Sequence, residues 1–329
     1  MFLDPKPIWS FTANKHLHLW YGHVHLLNDY VVGQWFVLKR NSGECLWERE
    51  FQRANTIFEI TDGVILASET RSDGPWTASF GCYGISLSSG DMLWRWYGNG
   101  IRGRLAKFLD CVPNYTNEFR PHFVGVRGNE FATKQGHILD IHTGRFLRRE
   151  AEISIPQKNY EPQTAAQKIY NGQPVEVAPN LLLSTREARA KMGKLPSGIT
   201  SMSFPKQKKP FGFVLRNTQG QTVWDWSPTE LGLHPITNYY GWRLFENKLV
   251  VLCGEKSETV PIHSGKPLIV KPNATKYQLL LVDVLTGKVD QKIIVSKEKV
   301  DSCRIEDVDS KGILVGCGIR NLQFYVFAG

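Results

Sequence analysis

Apolar and polar residues alternate in short runs along this chain, and each pair of runs is joined by a small polar turn. Residues 36–50 (FVLKRNSGECLWERE) show the unit: Phe36 and Leu38 precede a turn closed by Gly43, and the second run ends on Trp47. The same arrangement recurs at 83–97 (YGISLSSGDMLWRWY), 137–150 (HILDIHTGRFLRRE), 213–227 (FVLRNTQGQTVWDWS) and 279–293 (LLLVDVLTGKVDQKI). Alternation puts one face of a strand inward. Glycine at the turn (Gly43, Gly90, Gly144, Gly220, Gly287) supplies the positive φ that a tight hairpin needs. Trp47, Trp94 and Trp224 each stand four residues after their glycine, whereas Arg148 and Gln291 take that place in the other two copies. Large flat side chains at a fixed place in a repeat fill the seam between neighbouring sheets.

The hairpins recur at roughly the 40–50-residue period of propeller blades. The pattern therefore predicts an all-β chain: a single β-propeller over residues 1–329 with six four-stranded blades. The 76-residue interval between Gly144 and Gly220 leaves seven blades as the alternative. Residues 8–11 (IWSF) read as a last strand with no blade before it, and residues 321–327 (NLQFYVF) as a strand with no partner after it. Joining the N-terminal strand to the C-terminal blade would remove two exposed edges.

The turns resemble the pyrroloquinoline-quinone-like repeat, whose hairpin reads Asp-x-x-Thr/Ser-Gly-x-x-hydrophobic-Trp. Asp140–Gly144 and Asp283–Gly287 match its first half; Gly43–Trp47, Gly90–Trp94 and Gly220–Trp224 match its second. The resemblance spans the chain and implies a fold superfamily, not an activity. Quinoprotein dehydrogenases of that family are exported and eight-bladed, with adjacent cysteines and an acidic calcium site. This chain shows none of the four, so no quinone (PQQ) or other cofactor is expected.

Composition adds where the chain meets its surroundings. No apolar run approaches the ~18–20 residues of a membrane helix. The start, MFLDPKPIWSF, lacks a basic-then-apolar leader, so a soluble, cytoplasmic protein is expected. Six scattered cysteines (Cys45, Cys82, Cys111, Cys253, Cys303, Cys317) with no CxxC read as free, mostly buried thiols rather than a disulfide framework or zinc site. The net charge is +9, and its location is informative. Numbering the strands of a blade a to d, the long insertions fall at 97–118, 151–173, 185–211 and 254–276, with a shorter one at 70–80. All are b–c or d–a connections, which share one face of a propeller. Residues 184–210 carry Arg186, Arg189, Lys191, Lys194, Lys206, Lys208 and Lys209 against the single acid Glu187, a net of +6. Residues 254–276 add +2 and residues 98–118 add +1, which together equal the charge of the whole chain. Ser184–Glu187 (STRE) has the form of a helix capping box.

Candidate chemistry is sparse. His16, His18, His23 and His25 are spaced HxH-x4-HxH, and alternate strand residues share a face, so each pair is a candidate metal chelate. Polar residues lining a wet channel explain them equally well. Asp301, Glu306, Asp307 and Asp309 read as a solvated strand edge. No nucleophile elbow, P-loop or HExxH occurs. The sequence thus points to a non-enzymatic scaffold that binds an acidic protein through its basic, loop-rich face. The residues 102, 104 and 76 (Arg102, Arg104, Trp76) would act as anchors beside the lysine-rich loop. An enzyme with a site at the mouth of the channel, and a nucleic-acid-binding propeller, are the alternatives.

Overall fold

The computed structural model describes residues 2–3, 6–14, 24–27, 29–33, 36–49, 56–73, 76–97, 123–133, 135–153, 155, 168–169, 173–185, 212–236, 241–255, 276–296, 300 and 302–328. These residues form an all-β protein of six antiparallel sheets. The chain divides into two compact units, Phe11–Asn159 and Met1–Ser10 with Tyr160–Gly329.

Two short N-terminal strands, β1 (Phe2–Leu3) and β2 (Trp9–Thr12), come first. The first sheet consists of β3 (His25–Leu27), β4 (Tyr30–Val32), β5 (Phe36–Lys39) and β6 (Cys45–Glu48). The second contains β7 (Thr56–Thr61), β8 (Val64–Asp73), β9 (Trp76–Ser86) and β10 (Met92–Trp96). The third contains β11 (Phe123–Arg127), β12 (Glu130–Thr133), β13 (His137–Asp140) and β14 (Phe146–Arg149). The fourth contains β15 (Val175–Ala178), β16 (Leu181–Thr185), β17 (Phe213–Asn217) and β18 (Thr222–Trp226). In the fifth, β19 (His234–Pro235) and β20 (Trp242–Phe245) both pair with β21 (Lys248–Gly254), and the sheet continues with β22 (Tyr277–Asp283) and β23 (Val289–Ile294). The sixth is β24 (Cys303–Asp309), β25 (Gly312–Cys317) and β26 (Asn321–Ala328), and β26 also pairs with β1 and β2. Trp9 stacks on Phe324, and Ile8 N–H donates to the Phe324 carbonyl at 2.8 Å, fixing this attachment.

The repeated hairpin has a consistent local cause. In the third sheet Gly144 N–H bonds the Asp140 carbonyl and Asp140 N–H bonds the Arg145 carbonyl, each at 2.9 Å, with Gly144 at φ +63°. Asp140 Oδ1 accepts from His142 N–H, Thr143 N–H and the Thr143 hydroxyl. Asp283 accepts from Thr286 in the same way, so the aspartate and threonine of the motif close the turn with side-chain bonds. Just beyond the turn every hairpin carries a bulge. Leu46, Leu93, Leu147, Val223 and Asp290 are each skipped in the register, one residue before the tryptophan position. The extra residue bends its strand and redirects the side chains beyond it, and it leaves Leu93 and Val223 about half exposed on their outer strands.

Four details differ from the sequence-based expectation. Residues 70–73 and 76–80 are not loop: β8 and β9 run on through them as a two-stranded extension. Ser184 and Thr185 end β16, paired with Val214 and Phe213, so Ser184 caps no helix. A capping box occurs instead at Ser227–Glu230, opening the 3-10 turn Pro228–Leu231 after a strand that ends on Trp226. Finally, Cys303 and Cys317 form a disulfide. Sequence spacing does not reveal it, because strand register alone brings the two cysteines opposite each other.

Candidate partner-binding face

The tryptophans of the repeat establish which ends of the sheets lie together. Trp47 of β6 donates its Nε1–H to the Leu87 carbonyl at 2.7 Å, beyond β9 of the next sheet. Trp94 of β10 does the same to Ile141 at 2.6 Å, beyond β13, and Trp224 of β18 to Val284 at 2.8 Å, beyond β22. Each indole also lies over the turn glycine of the sheet it reaches. A Cβ added at Gly90, Gly144 or Gly287 would stand 2.8, 2.5 or 2.8 Å from a ring atom of Trp47, Trp94 or Trp224. The glycine is thus required twice, for its positive φ and for the close approach of the indole. Within each unit the c–d turns of the sheets so joined are neighbours.

The opposite ends of those sheets, where b–c and d–a connections leave, are therefore neighbours too. In the unit Phe11–Asn159, residues 98–122 come after β10 at that end. From the same end the β8–β9 extension projects, with Glu69↔Gly81, Thr70↔Ser79, Arg71↔Ala78, Ser72↔Thr77 and Asp73↔Trp76 as its rungs. In the unit containing Tyr160–Gly329, residues 186–211 leave after Thr185 and return at the partner rung Phe213. Residues 256–275 leave and return at the rung Gly254↔Tyr277. Trp224 joins these two sheets, so both basic segments depart from one end of this unit.

Trp76 is the partner-binding candidate that falls among the described strands: it opens β9, at the far end of the extension and opposite Asp73. Arg102, Arg104, Arg186, Arg189, Lys191, Lys194, Lys206, Lys208 and Lys209 lie outside the described residues, as do His16, His18 and His23. His25 is the first residue of β3, paired with Val32. Among the described residues no three His, Cys, Asp or Glu side chains gather as a metal site. Of the acidic residues near the last sheet, Asp301 lies outside the described residues, and Glu306 is buried rather than solvated, held by Arg304 Nε at 2.9 Å. Asp307 and Asp309 bond backbone N–H groups.

Much of the described charge is tied into the sheets. Arg148, standing where the repeat has tryptophan, bonds Glu130 at 2.6 Å and Glu150 at 2.8 Å. Its hydrogen bonds hold the Glu130 carboxyl below the usual range. Lys248 reaches Asp283 at 2.9 Å and Asp290 at 2.6 Å. Partial burial opposes the lysine's charge, but these two carboxylates outweigh it and its pKa is raised. Arg243, buried, donates to the carbonyls of Trp242 and Ile305 at 2.9 and 3.0 Å. Sequence reasoning missed the extension and its Arg71, Asp73 and Thr77; the signal available was the alternation of Trp76, Ala78 and Phe80 with Thr77 and Ser79.

No protein-family model and no curated protein matches this chain. Among solved structures it is similar to BamB from Moraxella catarrhalis, with 12% identity over 93% of this chain and 83% of that one and a TM-score of 0.27. It is also similar to the computationally designed Ika8 protein, with 9% identity over 96% and 98% of the two chains and a TM-score of 0.28. Function is therefore sought in this chain's own residues.

Proposed function

We propose that this chain is a β-propeller scaffold without catalytic activity of its own, working in the cytoplasm. It binds an acidic protein at the sheet ends where its b–c and d–a connections leave. The observation that carries this reading is the common departure of residues 186–211 and 256–275 from one end of their unit. The segments 184–210 and 254–276 hold +8 of the chain's +9. In the other unit the corresponding end carries Trp76 on its projecting strands and the segment with Arg102 and Arg104. Long connections gathered on a rigid β framework are where binding residues concentrate. A one-signed charge field steers an oppositely charged partner, and tryptophan and arginine are the side chains most enriched at binding hot spots.

The test is affinity capture from host lysate with three proteins: the wild type, a variant with Lys206, Lys208 and Lys209 changed to Glu, and Trp76→Ala. Lysate treated with nuclease is run in parallel. The expected result is a defined acidic protein held by the wild type, insensitive to nuclease and weakened at least about tenfold by the triple reversal; that factor is about 1.4 kcal/mol. Unchanged capture by the triple variant would remove this reading. Capture lost on nuclease treatment would replace the protein partner with nucleic acid.

A further inference from the structure

The Cys303–Cys317 pair is the one place among the described residues where two thiol-bearing side chains meet. Cys303 is the first residue of β24 and Cys317 the last of β25, and the two are register partners with Cα atoms 4.3 Å apart. Gly318 N–H bonds the Ser302 carbonyl at 2.7 Å just outside them. The cysteines therefore occupy a non-hydrogen-bonded rung, the type in which facing Cα atoms come closest, about 4.5 Å. The bond thus crosses directly from strand to strand.

Both cysteines are buried, and they stand at the end of their ladder rather than in its middle. Among the described residues β24 is the terminal strand of its sheet and pairs only with β25. The pair closes the end of that ladder, so exchange requires only the terminal rung to open from the core cluster; the pairs from Arg304↔Gly316 to Asp309↔Gly312 lie inward of it. None of the other described thiols faces a second cysteine: Cys45 is in register with Leu38, Cys82 with Ser68 and Trp96, and Cys253 with Pro235 and Gln278. Cys82 and Cys253 are buried, which pushes their thiols up, and Cys45, though exposed, is also raised by partial burial and by Glu48. A raised thiol holds little thiolate at neutral pH, and the thiolate is the species that reacts.

We propose that Cys303 and Cys317 are a reversible redox site that exchanges with small disulfides of the glutathione class. In the reduced protein the Cys303 thiolate attacks one sulfur of the small disulfide. A Cys303 mixed disulfide forms and one small thiolate leaves. The Cys317 thiolate then attacks Cys303 Sγ, the protein disulfide closes and the second small thiolate leaves. The protein dithiol loses two electrons and two protons, and the small disulfide takes them up as two thiols. The oxidised bond pins the start of β24 to the end of β25. Cys303 and Cys317 share a core cluster with Tyr277 and Val295, and Tyr277 is the rung to which residues 256–275 return. The redox state therefore sets how firmly the sheet beneath one basic segment is held. This consequence rests on the proposed binding face; the exchange chemistry does not.

The full-length protein is equilibrated in buffers of graded reduced-to-oxidised glutathione ratio, acid-quenched, alkylated, and read by intact and peptide mass spectrometry. Thermal melting and near-UV circular dichroism are recorded at each poise. The expected result is loss of two alkylatable thiols, a linked 303–317 peptide and full reversal at high reduced glutathione with the native spectrum kept. The oxidised form should melt at least about 2 °C higher, since a cross-link restrains the unfolded chain. Cys317→Ser should trap one glutathionyl group on Cys303, and a Cys303→Ala/Cys317→Ala protein should show no dependence of melting on poise. A wild type that never forms the 303–317 bond, links either cysteine to another residue, or loses the bond only on unfolding would overturn the inference. The wild-type readouts need no partner, so their failure is distinct from failure of the binding face.

Discussion

At the scale of single residues, the turn glycines separate two effects that sequence alone merges. Gly144 and Gly220 both have positive φ, +63° and +82°. A Cβ on Gly144 would stand 2.5 Å from the Trp94 ring, whereas a Cβ on Gly220 meets nothing within 4 Å. Alanine at either site incurs the left-handed backbone cost of about 1–2 kcal/mol. At Gly144 it adds overpacking against the indole, about 1–3 kcal/mol more. Urea unfolding of Gly144→Ala and Gly220→Ala should therefore give clearly unequal losses, and equal ones would refute the indole's role. Asp140 supplies a second test. The Thr143 hydroxyl bond holds its carboxyl below the ordinary 3.8, against a smaller opposing effect of burial. A carboxylate whose folded value is depressed contributes stability above its unfolded pKa and loses it as pH falls through the folded one. Asp140→Asn keeps an acceptor and removes the charge. Its deficit relative to wild type should be full at pH 7 and shrink as pH falls below about 4; a deficit constant down to about pH 2 would contradict this.

At the scale of elements, the hairpin and the extension show how far a pattern reaches. Tryptophan at a seam was readable from its fixed offset after glycine. The bulge that aims it was not, because a bulge is defined by the partner strand: Leu93 is extra only in relation to Gly84 and Ile85. The β8–β9 extension was hidden by Gly74 and Pro75, which signal a turn without saying how long its strands are. Among the described residues its rungs beyond Ser68↔Cys82 pair only with each other, while Val64–Ser68 are also held by β7 and Cys82–Ile85 by β10. Joining Glu69 to Gly81 through an Asn-Gly turn should therefore leave the melting temperature within about 2 °C of wild type, a shift under roughly 1 kcal/mol. Partner capture should fall. A large drop in stability would show that the extension belongs to the core instead.

At the scale of the whole molecule, charge is distributed over a framework whose own ion pairs are largely internal. Arg148 with Glu130 and Glu150, and Lys248 with Asp283 and Asp290, satisfy one another within their sheets. The surplus of +9 lies in three connections. Electrostatic capture by charged segments weakens as salt shortens the screening length to about 8 Å at physiological ionic strength. Partner binding should accordingly weaken between low and physiological salt, in the wild type more than in the Lys206, Lys208 and Lys209 reversal.

The sequence by itself determined the all-β class, the repeated hairpin, the place of the tryptophans and the location of the charge. Each of these comes from residue type and spacing within a few positions, where alternation, turn chemistry and net charge are local properties. Only the tertiary structure decided that residues 70–73 and 76–80 continue as strands, that Glu306 is buried against Arg304, and that Cys303 faces Cys317 across 14 positions of sequence. These depend on register and burial, which arise when separate strands pair. The same is true of the turn glycines: the sequence marks them for their φ, and only the packed sheets show that Gly90, Gly144 and Gly287 also make room for an indole from the sheet before.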